Sequence, residues 1–136
     1  MKIRFQNDHG AGVWVSLMVH EPYLCGGSGG GEWMAHGWWR LEPRANVTTN
    51  VKTDNRYFYF YAEGDDGAVW NGPYGPIDCP YIAFNTCIGL LQREHDLRTR
   101  FPGSFGFYPE DRALGMVEVD AGRDHDSYSR YTVTLG

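Results

Sequence analysis

Asn55-Arg56-Tyr57-Phe58-Tyr59-Phe60-Tyr61-Ala62-Glu63 places five aromatic residues in a row near the middle of a 136-residue chain. On a pleated strand alternate side chains leave opposite faces, so Tyr57, Tyr59 and Tyr61 line one face and Phe58 and Phe60 the other. A helix would scatter the five rings around its circumference and restrict each of them. The stretch therefore predicts a β-strand with two unlike faces. Phenyl rings have no polar atom and suit a dry core, whereas each tyrosine hydroxyl needs water, a partner group or a ligand. A strand this aromatic, without proline or lysine, would be an aggregation template at a sheet edge, so an interior position paired on both sides is expected.

Working outward, residues 1–6 alternate as a first strand, and Asn7-Asp8-His9-Gly10-Ala11-Gly12 has the chemistry of a hairpin turn. From Val13 to His20, Val13, Val15, Leu17 and Val19 share one face and Trp14, Ser16, Met18 and His20 the other. Glu21 to His36 contains the run Gly26-Gly27-Ser28-Gly29-Gly30-Gly31 and reads as a long loop able to mould to a ligand or a neighbouring chain. Gly37 to Pro43 and Ala45 to Lys52 read as strands, and Glu63 to Gly67 as the turn that pairs the aromatic strand with Ala68-Val69-Trp70. Asn71 to Pro76 reads as loop and Tyr81 to Phe84 as a short strand. Ile88, Leu91 and His95 fall at helical spacing within Ile88 to Arg98, the one helix expected. Phe105 to Tyr108, Met116 to Val119 and Tyr128 to Leu135 read as closing strands. Strands at such regular intervals, separated by turn signals, predict an all-β single domain over 1–136, an antiparallel β-sandwich or small barrel with at most one short helix near 88–98.

Composition narrows the function classes. Aromatics at 15% and eighteen glycines suit a turn-rich β protein. A net charge of −5 repels phosphate backbones, so no nucleic acid partner is expected. Ten of the twelve basic residues are arginine, whose planar fork stacks on rings and pairs with carboxylates. No apolar run approaches the roughly 20 residues of a transmembrane helix. No signal-peptide core follows Met1, which leads to the expectation of a cytoplasmic protein or export by a non-classical route. Among Cys25, Cys79 and Cys87, the last two are separated by only seven residues that include Pro80 and Asn85-Thr86, so they are expected to lie close enough to bridge in an oxidising compartment, with Cys25 left free.

The order of motifs carries a resemblance. It runs from an N-terminal strand with an Asn through Gly37-Trp38-Trp39-Arg40-Leu41-Glu42-Pro43, Tyr57 to Glu63 and Trp70-Asn71-Gly72 to Cys79, Phe84, Cys87 and Val119-Asp120-Ala121-Gly122. This order is similar to that of the bacterial domain-of-unknown-function family numbered one thousand and thirty-six, over most of the chain. The resemblance implies a single domain and brings no activity, cofactor or catalytic residue. Many members place cysteines where Gln6 and Asn46 stand here; the resemblance implies that this chain lacks one bridge and keeps the Cys79 and Cys87 positions.

Trp38, Trp39, Arg40, Tyr57, Tyr59 and Tyr61 are the candidate binding residues, as an aromatic face for homo-oligomer formation or a stacking platform for sugar rings. Glu63 with Asp65 or Asp66 is the alternative, a small hydrolase, although three acidic groups around a turn also describe a solvated hairpin tip. A membrane-active β protein displaying the same aromatics is a further alternative. Asp120, Asp124 and Asp126 lack the glycine and distal glutamate of a calcium loop. His9, His20, His36, His95 and His125 never fall at metal-ligand spacing, and no phosphate-cradle Lys follows the glycine run, so no metal and no cofactor is expected. Arg93, Arg98 and Arg100 beside Phe101 form a local basic patch. No Ser, Thr or Cys sits in a nucleophile motif. The reading is a non-catalytic binding or assembly module, with self-association ahead of glycan recognition.

Overall fold

The computed structural model describes residues 1–27, 29–80, 82–100, 112–122 and 129–136, without the side chains of Glu94, Arg98 and Thr99. In chain order the elements are β1 (Lys2–Asn7), β2 (Val13–His20), α1 (Pro22–Cys25), β3 (Trp33–Leu41), β4 (Asn46–Lys52), β5 (Tyr57–Gly64) and β6 (Val69–Trp70). They continue with β7 (Tyr74–Cys79), β8 (Phe84–Cys87), α2 (Ile88–Arg100), β9 (Arg112–Asp120) and β10 (Arg130–Leu135). The protein is all-β, with two sheets in a sandwich-like half-barrel. Among the described residues, one sheet has three strands in the order β10-β1-β4. The other has seven, in the order β7-β9-β5-β2-β3-β8, with β6 also on β5.

The aromatic strand lies inside the larger sheet. β5 pairs antiparallel with β2 on one side and with β9 and β6 on the other, so its backbone ladder is not left as an open edge. Its two faces separate as the alternation predicts. Phe58, Phe60 and Ala62 join Ile3, Phe5, Val13, Val15, Leu17, Val19, Val133 and Leu135 in the core between the sheets. On the opposite face Tyr61 packs with Met18, Cys79, Leu114 and Met116, flanked by Trp33, Trp38 and Tyr59. Both faces of β5 are therefore largely covered, which follows from a strand with no charge before Glu63.

Several local expectations are corrected. β1 and β2 do not form a hairpin; they lie in different sheets, and β1 pairs with β4 and, in parallel, with β10. The turn chemistry serves a crossing instead. The buried Asn7 side chain donates to the carbonyls of Ala11, Leu41 and Glu42, pinning the turn to the end of β3. β3 begins at Trp33 and Pro22–Cys25 is a helical turn, so the loop expected over Glu21 to His36 is shorter. Tyr74 to Pro76 belongs to β7, irregularly paired with β9, and the strand expected at Tyr81 to Phe84 begins at Phe84. α2 forms where helical spacing predicts, with Leu91 buried. Met116 to Val119 and most of Tyr128 to Leu135 are strand; Phe105 to Tyr108 lie outside the described residues.

The bridge is also different from the expected one. Cys25 pairs with Cys87 across 62 positions, with 5.5 Å between Cα atoms. Cys79 is a buried thiol at the end of β7, opposite Arg112, whereas Cys87 sits on β8 opposite Met34. β7 and β8 are not neighbours in the sheet, so closeness in sequence does not bring those two cysteines together. The glycine run is held by the chain itself. The Gly89 amide donates to Gly30, the Glu32 amide to Cys25, and a Cβ on Gly89 would collide with the Gly29 carbonyl, so loop and helix approach backbone to backbone.

Candidate functional site

A β-bulge organises the site. Val15 faces Trp39 and Ser16 faces Gly37, leaving Trp38 as the extra residue of β3. Trp38 and Trp39 then serve different faces. Trp39 tilts against Phe5 at the core, with His36 beside it, whereas Trp38 meets Tyr61 and Phe84 edge-on across the second face. Gly37 makes room for this, since a Cβ there would strike the Phe84 ring. The Trp38 indole N–H donates to the Pro80 carbonyl at 3.0 Å.

Beyond Trp38, the second face ends in an ion pair. Arg112 on β9 makes two 2.5 Å bonds to the Glu63 carboxylate, and its guanidinium lies over the rings of Trp38 and Tyr61. The Tyr61 hydroxyl donates to Glu63 at 2.9 Å. Arg112 holds the Glu63 carboxyl below its usual value, with burial opposing and the Tyr61 hydrogen bond assisting. Trp14, Trp38, Ala83, Glu63 and Arg112 line a cavity of about 380 Å³ here. Trp14 is 41% exposed, and Arg40 stacks over its ring.

No family model, curated protein or solved structure matches the chain. The resemblance drawn from the sequence therefore rests on the motifs that carry it.

The six candidate residues do not form one platform. Trp38 and Tyr61 meet; Trp39 turns to the core; Arg40 leaves toward the β5–β6 turn, where it makes a bidentate pair with Asp65 at 2.6 and 2.5 Å. Tyr57 lies under Arg56, which itself is bidentate to Asp120. Tyr59 belongs to a separate row, His20–Trp33–Tyr59–Tyr74, in edge or tilted contacts. Glu63, Asp65 and Asp66 are also divided, each with a different cationic or ionisable partner, respectively Arg112, Arg40 and His9. The partner's hydrogen bond is in each case the largest cause lowering the carboxyl pKa. Asp124, Asp126, His125 and Phe101 lie outside the described residues. Among those described, no three His, Cys, Asp or Glu converge as a metal set, and no helix is long and apolar enough to cross a membrane.

Two site residues escape sequence reasoning. Trp14 shows only as an alternating position on β2, and cross-strand register sets it opposite Glu63; Arg112 carries no motif at all, stands opposite Cys79 in its own ladder and reaches Glu63 through its side chain.

Tyr59 gives a titration that tests this face. Burial first, then its hydrogen bond to Glu118, pushes the phenol up to about 12. A phenol raised above its unfolded value of about 10 contributes stability that is complete below pH about 10 and is lost as pH rises through about 12. Near-ultraviolet absorbance of the folded protein is expected to contain a late component that Tyr59→Phe removes. An unchanged titration curve in that variant would contradict the assignment.

Proposed function

We propose that the protein is a non-catalytic binding module whose cleft between Trp14 and Trp38 takes a sugar ring. The observation that carries the reading is the make-up of that cleft, two indoles beside a bidentate guanidinium–carboxylate pair. Indole faces suit the apolar face of a pyranose, while carboxylate oxygens accept from its hydroxyls and guanidinium N–H groups donate to them. A carboxyl with a lowered pKa stays ionised at neutral pH, which favours an acceptor over a general acid. Self-association through the tyrosine face has less support. Tyr61 is only 6% exposed, and the hydroxyls of Tyr59 and Tyr61 already donate to carboxylates within the chain. Membership of the family named above is likewise proposed, on its motifs alone, and brings no ligand.

A panel of free oligosaccharides screened by saturation-transfer NMR tests the reading. At least one sugar is expected to bind, and Trp14→Ala, at a part-exposed position, to weaken it at least about tenfold while the protein still unfolds cooperatively from a folded state. No binder on the panel, with light scattering showing mass that rises with concentration, would return the reading to self-association. No binder and a constant monomer mass would remove both.

A further inference from the structure

A second cavity, of about 560 Å³, has a lining that combines residues of β2, β3, β4 and β8 with the α1 turn. We infer that this opening is a ligand site for a small zwitterion with an apolar body, of the α-amino acid type. The lining is mixed, and its apolar part comes from both sheets: Val19, Met34 and Phe84 from the larger, Val51 from the smaller. Two oppositely charged residues, Glu21 and Lys52, border the space, and among the described residues neither side chain has an ion-pair partner. Their charges are thus available to a ligand, the ammonium of Lys52 for a carboxylate and the carboxylate of Glu21 for an amine. His36 lies opposite Asn85 in the β3–β8 ladder, and both residues line the cavity. Burial lowers the imidazole pKa, so His36 is neutral at pH 7 and adds hydrogen-bonding capacity without a third charge. The volume is within the range that encloses a small molecule.

The position is held by the covalent bridge. Cys25 ends the α1 turn, and its bond to Cys87 ties that turn, with Leu24 and Glu21, to β8, which lines the same cavity. This site shares Trp38 with the sugar cleft and no other lining residue, and Trp14 belongs to the sugar cleft alone.

Isothermal titration of the oxidised protein with L-phenylalanine, L-leucine and L-methionine tests the inference, with phenylacetate and phenethylamine as single-charge controls. At least one amino acid is expected to bind saturably, and the two controls at least about tenfold more weakly than L-phenylalanine if that is the binder. Lys52→Met and Glu21→Gln, both away from the buried core, are each expected to lower its affinity about tenfold. Trp14→Ala is expected to leave it unchanged. Nuclear Overhauser contacts from the bound ligand to the Val19 and Val51 methyl groups would locate it. Absence of saturable binding by all three amino acids, equal binding of a single-charge control, or affinity indifferent to both charge substitutions would overturn the inference.

Discussion

Replacing Cys25 and Cys87 together by serine is expected to lower the unfolding free energy by about 4 kcal/mol. The bridge joins positions 62 apart, and that span contains β3 to β8, most of the larger sheet. An unfolded chain so closed has far fewer conformations to recover, which is the main source of the stabilisation. A native-state loss adds to it, because the bridge, the Gly89 to Gly30 hydrogen bond and the Arg93 contact to the Gly29 carbonyl together hold the glycine run. Urea unfolding checks this directly: the double variant and the reduced native protein should share one midpoint, well below that of the oxidised form. Thiol counting in denaturant should give one thiol per chain before reduction, Cys79, and three after it. Equal midpoints for oxidised and reduced protein would mean that loop and helix hold one another without the bond.

Phe58→Ala is expected to cost about 3–5 kcal/mol, the range for removing a fully buried ring. Phe58 has no exposed surface, meets Tyr131 edge-on at 5.6 Å and stands opposite Val119, so the hole would be bounded by β5 and β9 of one sheet and β10 of the other. Those walls are held by backbone ladders and relax little. Tyr57→Ala, one position earlier on the opposite and less covered face, should cost clearly less in the same unfolding experiment. Similar losses at both positions would mean that the two faces of β5 are not as unlike as their burial.

The aromatic strand was legible because two independent constraints agreed, period-two alternation and the danger of exposing such a strand. Alternation alone made β10 legible through Tyr131, Val133 and Leu135, and β2 through Val13, Val15, Leu17 and Val19, although Ser16 and Met18 on its other face are buried as well. The pairing of strands was not legible. Asn7 to Gly12 has every mark of a hairpin, yet whether such a turn reverses the chain within a sheet or passes it to another depends on what the Asn7 amide reaches, and its partners at Leu41 and Glu42 are remote in sequence. The bridge failed for the same reason: spacing favoured Cys79 with Cys87, but topology separates β7 from β8. At the site, Trp38 and Tyr61 were legible as aromatics that would meet. Their split from Trp39 and Arg40 depends on a bulge, and Arg112 depends on a side-chain contact between residues 49 positions apart, neither of which leaves a mark in composition.

The parallel pairing of β1 with β10 bears on how the chain reaches this structure. β1 is the middle strand of its sheet, yet Lys2 lies opposite Arg130 and Asn7 opposite Leu135, so one of its two ladders waits until the distant β10 has been synthesised. Until then one β1 edge is an unfilled pairing template, and Ile3 and Phe5 lack the cover of Val133 and Leu135. Contacts between such distant segments slow folding and lengthen the time spent in an aggregation-prone state. The same vacancy can be filled by β10 of a second nascent copy, so strand exchange between chains is the characteristic misassembly that this topology invites at high rates of synthesis.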